Sequence, residues 1–318
     1  MKKIVLAAAL AALVFTSCNQ SEPYVLDEQP EISFKAFSPM ATKTLLSGTL
    51  TSQDIGAFAV YQSSESGSWQ RYFFNSQFAY NSTSKAFLGS TARYWPLSGN
   101  LKVIAYSPYN VGTVAEPATD LGQLSITGID NYTAQKDILF TKTAATQACS
   151  NKASMALSMA HALANVNVAF KTNVAGVKIT KVTLGKANYK GDLSIKKNTS
   201  DANYTATWSN ASYGTNATKD FAITGSSLSL TASASSFASC SSDGLMVVPG
   251  SASGCTLAIE YTIPSDNGTA IAQTASLSLS DTWQAGKKTI YNVSITQTEI
   301  SFTVSADTWS SVESSQSL

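Results

Sequence analysis

The chain has 318 residues, enough for two domains of ordinary size, each with a core of its own. Hydrophobic residues make up 44%, which excludes a disordered polymer, while charged residues reach only 13%, well under the ~25% usual for soluble globular proteins. A net charge of +1 offers no basic stripe to neutralise phosphates and argues against nucleic acid as a partner.

Lys2 and Lys3 form a positive start, and Ile4 to Phe15 an apolar run too short to span a bilayer stably. The run ends FTSC at Cys18, and small residues before a cysteine resemble a bacterial lipobox. The expectation is that residues 1–17 are a lipoprotein signal peptide and that Cys18 becomes the lipidated (palmitate-bearing) N-terminus; the alternative is a plain secretory signal with an incidental cysteine. Residues 18–30 are polar, contain two prolines, lack periodicity and read as a tether.

After the tether, EISFKAF (31–37) alternates, with Ile32 and Phe34 on one side, and SPMATKTLLSG follows with loop character around Lys43. IGAFAVY (55–61) is a continuous apolar run suited to a buried strand. QRYFFNSQFAY comes next, then LKVIAY beyond a turn marked by Pro96 and Gly99, and further strands at LGQLSIT and DILFTK. Short strands separated by Gly, Asn and Ser turns predict a β-sandwich over 31–148, with the boundary in the loop-like stretch 143–152.

SMALSMAHALANVNVAFKT (154–172) has helical composition, yet Met155, Leu157, Met159, His161 and Leu163 alternate with small residues. The phase then moves to Val166, Val168 and Phe170, which predicts two strand segments joined by a kink. VKITKVTL, TLAIEYTIP and neighbouring segments predict a second sandwich over 149–298. Cys240 and Cys255 flank the expected strand GLMVVPG, and an oxidising compartment would let them form a disulfide; Cys149 is left unpaired.

In the last stretch Tyr291, Val293 and Ile295 alternate at odd positions, and Ile300, Phe302 and Val304 at even ones. The link between them has no Gly or Pro for a tight hairpin, so the final strand (299–318) reads as one able to leave its own domain. Its opening EISF repeats the EISF at 31–34.

Catalytic signals are sparse. The single histidine, His161, sits in an alternating apolar strand, and no GxSxG, HExxH, Walker or GxGxxG pattern is present. Asp192, Asp201 and Asp243 are scattered in expected turns. No cofactor, metal site or catalytic residue is expected, since no Cys/His spacing suits zinc. Trp69, Tyr72, Tyr94, Trp95 and Tyr106 are candidates for a sugar-stacking platform, with core packing the competing role.

Taken in order, the lipobox, ISF, DIGAFAVY, YWP, LKVIAYSPY, AHALANVNVAF, GKKTIYNVSI and EISFTVSADTW resemble the fimbrillin family of type V pilins and its Mfa-like relatives. The resemblance implies two tandem transthyretin-like β-sandwich domains in a lipid-anchored precursor of the cell outer membrane that later joins a surface fimbrium. It further implies that a protease removes the N-terminal strand and that a terminal strand of a neighbouring subunit replaces it, head to tail. Ile32 and Phe34 would then belong to the placeholder strand, and Ile300, Phe302 and Val304 to the donor strand. The chain departs from the family in having no arginine before Arg71, so Lys35 and Lys43 are the candidate cleavage sites. The other reading is a non-polymerising surface lipoprotein that binds glycans or host ligands. A hydrolase is a distant third.

Overall fold

The computed structural model describes residues 29–37, 53–215, 217–223, 225–232, 236–265, 268–296 and 300–308. Among them every regular element is a β-strand, so the Ala- and Met-rich stretch is extended and not helical. In chain order the first five strands are β1 (Ser33–Phe37), β2 (Ile55–Gln62), β3 (Gln70–Asn81), β4 (Ala86–Gly89) and β5 (Asn100–Ser107). Then come β6 (Thr113–Val114), β7 (Gln123–Asp130), β8 (Leu139–Thr141), β9 (Ala145–Ala148) and β10 (Met155–His161). Hydrogen-bonded pairing runs β2–β3–β4–β1–β10–β8–β5 and returns from β5 to β2, a ring without a free edge among its members. One face of this ring encloses Ile32, Phe34, Ile55, Phe78, Leu101 and Leu157, all fully buried.

The remaining strands are β11 (Ala164–Thr172), β12 (Lys178–Gly185), β13 (Lys190–Lys197), β14 (Tyr204–Ser212), β15 (Thr218–Asp220), β16 (Leu228–Ser229) and β17 (Ala238–Ser239). They continue with β18 (Leu245–Val247), β19 (Gly250–Ser251), β20 (Thr256–Pro264), β21 (Ala270–Ser278), β22 (Thr282–Trp283), β23 (Lys287–Ile295) and β24 (Ile300–Thr308). Two sheets, β17–β11–β23–β24 and β15–β12–β20–β21, form a sandwich around Val166, Val168, Phe170, Ile179, Leu257 and Tyr291. A third core joins the two halves. There the sheet β14–β13–β7–β6 contributes Ile126, Leu193 and Ile195, and the ring's other face Phe58, Ile104 and Tyr106.

The kink expected in 154–172 has a definite role. β10 pairs within the ring and β11 within the C-terminal sandwich, so the chain changes sheets at Ala162–Leu163. Consecutive residues thereby enter three cores: Leu157 the first, Ala162 and Leu163 the joining one, Val166 the last. The stretch 143–152, where the boundary was expected, instead holds β9, which pairs with β5. Hydrogen bonds pin the crossing: Ala162 N donates to Ile138 O at 2.7 Å, and Trp208 Nε1 donates to Ala162 O at 2.7 Å.

Two expectations are corrected. β23 and β24 do form an antiparallel hairpin, with Ile295 opposite Ile300 and Val293 opposite Phe302. The change of parity at this point is the hairpin's own signature. Opposite residues share a face, and here each odd position of β23 meets an even one of β24. Cys240 and Cys255 are separate free thiols, as is Cys149, and all three are buried. Cys240 Sγ lies 3.7 Å from Asn167 Oδ1, and Cys255 Sγ 3.4 Å from Lys186 O, so each thiol already has a polar neighbour.

Two outcomes are expected. Gly56 stands opposite Tyr106, whose fully buried ring lies where a Cβ would go. Gly56→Ala should therefore cost about 1–3 kcal/mol through overpacking, read by denaturant melts. Burial pushes the Cys240 thiol up to about 12 and also raises those of Cys149 and Cys255. Alkylation followed by mass measurement, on protein starting at Asn19, should modify none of the three natively and all three once unfolded.

Candidate functional site

The repeated EISF leads to two contrasting strands. Alternation in EISFKAF sends Ile32, Phe34 and Ala36 into the ring, each fully buried, and leaves Lys35 exposed. β1 is flanked on both sides. It runs parallel to β10, from Phe34 opposite Met155 to Phe37 opposite Ser158, and antiparallel to β4, with Phe34 opposite Phe87. Just before it, Ile32 N donates to Arg93 O at 2.6 Å and Trp95 N to Pro30 O at 3.2 Å. Phe34 meets Phe78 edge to face, with ring centroids 4.6 Å apart, and Phe73 packs on Phe78 in turn. One five-residue strand near the start of the chain thus fills an internal position of the ring.

β24 has the opposite situation. It pairs with β23 along nine residues and ends the sheet order, so its other side has no partner strand among the described residues. Ile300, Phe302 and Val304 stand opposite Ile295, Val293 and Tyr291, on the face that those residues turn to the core. Ile300 packs partly on that core, but Phe302 and Val304 overhang it, 38% and 39% exposed. An exposed edge carrying bulky apolar groups is a surface ready to pair with another chain.

The other candidates sort by burial. Lys35 lies within β1, its backbone paired opposite Ala156. Cys18 and Lys43 lie outside the described residues. Trp95 and Tyr106 are core residues, and Trp69 lies beneath the Lys102 ammonium, 4.0 Å from the ring centroid. Tyr72 and Tyr94 are exposed, and Tyr72 Oη donates to Tyr94 O at 2.6 Å. His161 Nδ1 lies 2.8 Å from Asp137 Oδ2, with the two side chains 3% and 14% exposed, so this pair is closed to a substrate. Among the described residues no group of three or more His, Cys, Asp or Glu could hold a metal ion.

Alternation turns Met155 and Leu157 inward without placing them beside β1, and it does not single out Phe78 or Phe87. Only β1's neighbours across the ring reveal them, because the pairing brings together residues more than forty positions apart.

The fimbrillin-like family model matches residues 42–309, from beyond β1 to the end of β24. No curated protein matches the chain. Among solved structures, a fimbrial protein from Bacteroides vulgatus aligns over 87% of this chain and 99% of its own, with TM-score 0.56 and 16% identity. A candidate cell adhesion protein from Bacteroides ovatus aligns over 90% and 99%, with TM-score 0.52 and 16% identity. Another, from Bacteroides uniformis, aligns over 88% and 99%, with TM-score 0.50 and 16% identity. At such identity the likeness concerns the fold.

The two EISF segments should respond differently to the same change. Phe34→Ala should cost about 3–5 kcal/mol, as for other fully buried phenylalanines. Phe302→Ala in the isolated subunit should cost about 1–2 kcal/mol, since part of its surface already faces water. Urea titration of the two variants gives the comparison.

Proposed function

The chain belongs to the fimbrillin-like family, and from that premise we propose that it is a structural or accessory subunit of a surface fimbrium, joined head to tail by strand exchange and supporting adhesion without catalysis. The observation that carries this reading is the pairing of an internal, fully buried Ile-x-Phe strand at one end with an edge-exposed Ile-x-Phe strand at the other. If β1 leaves, an open slot remains between β4 and β10. The β24 of a second copy can enter with Ile300, Phe302 and Val304 at the positions of Ile32, Phe34 and Ala36.

The energetics favour the exchange. On its own subunit β24 is paired along one side, whereas in the slot it would be paired along both. Complete burial of each apolar side chain contributes ~1.5–3 kcal/mol, of which Phe302 and Val304 have obtained only part. β1 covers only Met155–Ser158 of β10, so a nine-residue donor has more edge to pair with than the placeholder uses. Contact of this head-to-tail kind does not close on itself and gives filaments. Before release, β1 keeps the slot from mispairing.

Lys43 is the favoured point of cleavage, because the backbone of Lys35 is tied into the ladder with β10. Cys18 would hold the precursor on the outer membrane through its lipid, and a subunit whose β1 is kept would stay there as an anchor. Exposed Tyr72 and Tyr94 keep a second reading in view, a lipoprotein that binds glycans without polymerising.

Protein starting after Lys43 should bind a peptide spanning Glu299–Trp309 tightly and melt at higher temperature with it. Protein retaining β1 should not. A Phe302→Ala peptide should bind roughly 10–100-fold more weakly, from the loss of one buried aromatic anchor. If the truncated protein is folded and ignores the peptide, strand exchange is wrong. Radiolabelled palmitate should enter the wild-type chain in cells and be lost with Cys18→Ser; equal labelling of both would remove the lipid anchor from this account.

A further inference from the structure

A cleft of about 260 Å³ opens where the C-terminal core meets the joining core. We propose that it binds one acidic sugar ring, a carboxylate-bearing pyranose at the end of a glycan chain. This site shares no residue with β1 or β24, and the inference stands whether or not strands are exchanged.

The cleft is built from fixed backbone. Lys186 and Asn188 belong to the link from β12 to β13, and Tyr213 directly follows β14. The two-stranded ladder of β19 and β22 supplies Ser251 and Trp283. Lys186 holds a left-handed backbone, φ 59°, that non-glycine residues seldom adopt. It is kept there by its N–H donating to Ala217 O at 2.6 Å and its carbonyl accepting from Cys255 Sγ at 3.4 Å. Asn188 is tied by its carbonyl, which accepts from Val248 N at 2.8 Å. A strained residue held by its surroundings at the rim of a cleft is the kind of feature that accompanies a binding site.

The lining selects the ligand. Val248 and Trp283, both 2% exposed, make an apolar floor, and Tyr213, 36% exposed, offers a ring on the rim. Around them the side-chain groups of Lys186, Asn188 and Ser253 have no hydrogen-bond or ion-pair partner among the described residues, so their donors are free for a ligand. Among the described residues that line the cleft none is a carboxylate. The nearby Lys190 is paired with Asp130 at 2.8 Å. Among the described residues that line the cleft, Lys186 is the one that carries a charge.

An aromatic ring for a C–H face, hydroxyl and amide groups for ring hydroxyls, and one unopposed cation match an acidic pyranose better than a neutral one. The charge-assisted bond to the carboxylate is the strongest single contact available. Pockets for drug-sized ligands hold about 300–1,000 Å³, so this cleft suits a single ring. Junctions between packed units are common places for such sites.

The test uses the chain from Gln29 onward with glucuronate and N-acetylneuraminate as probes, and glucose and galactose as neutral controls. Saturation-transfer NMR should detect the acidic sugars at about millimolar affinity, with a shift in the Trp283 indole N–H resonance. Lys186→Met should weaken acidic-sugar binding about tenfold or more and abolish the preference over neutral sugars. Tyr213→Ala should weaken both. Melting curves should be unchanged, because the side chains replaced lie at the surface. The proposal is overturned if neither acid gives a signal at tens of millimolar, if neutral sugars respond equally, or if both variants bind as the parent does.

Discussion

The arrangement rests on the burial of Phe34 and its neighbours Ile32 and Ala36 inside a ring of strands that their own short strand completes. A closed ring has no exposed edges, which is a stable way to manage a sheet so poor in charge. Its closure here depends on the five residues of β1. Side-chain packing holds β1 strongly, while its backbone pairing is short, four residues on one flank and two on the other. A strand placed in this way is central to the fold and yet held by few backbone pairs.

At the other end of the molecule β24 satisfies half of the same requirements. It has the apolar face, but among the described residues it has no second flanking strand, and Phe302 and Val304 stay partly exposed. The two segments are matched in side-chain spacing and unmatched in burial, and the family reading draws its physical sense from that difference.

Between the ends, the molecule is continuous. The run from Met155 to Phe170 passes through three cores in succession, and the sheet containing β7 and β13 draws partners from both halves of the chain. Apolar packing across that seam ties the halves together more firmly than a linker would. The small cleft at Lys186 lies on the same seam, with Trp283 from one core and Val248 from the other among its lining.

The sequence by itself determined which face each strand buries. Alternation in EISFKAF, MALSMAH and YNVSITQTEISFTV set Ile32, Leu157, Val293 and Phe302 on apolar faces, and period-two spacing demands as much in any sheet. All-β character followed from the same signal, even where composition favoured helix. Tertiary structure decided which strands lie side by side. Pairing joins residues far apart in sequence, and local pattern carries no record of the partner. Hence the ISF at 32–34 became internal and the one at 300–302 peripheral. The parity change before Ile300 became a hairpin, and the ends of GLMVVPG led Cys240 and Cys255 to different polar neighbours instead of to each other.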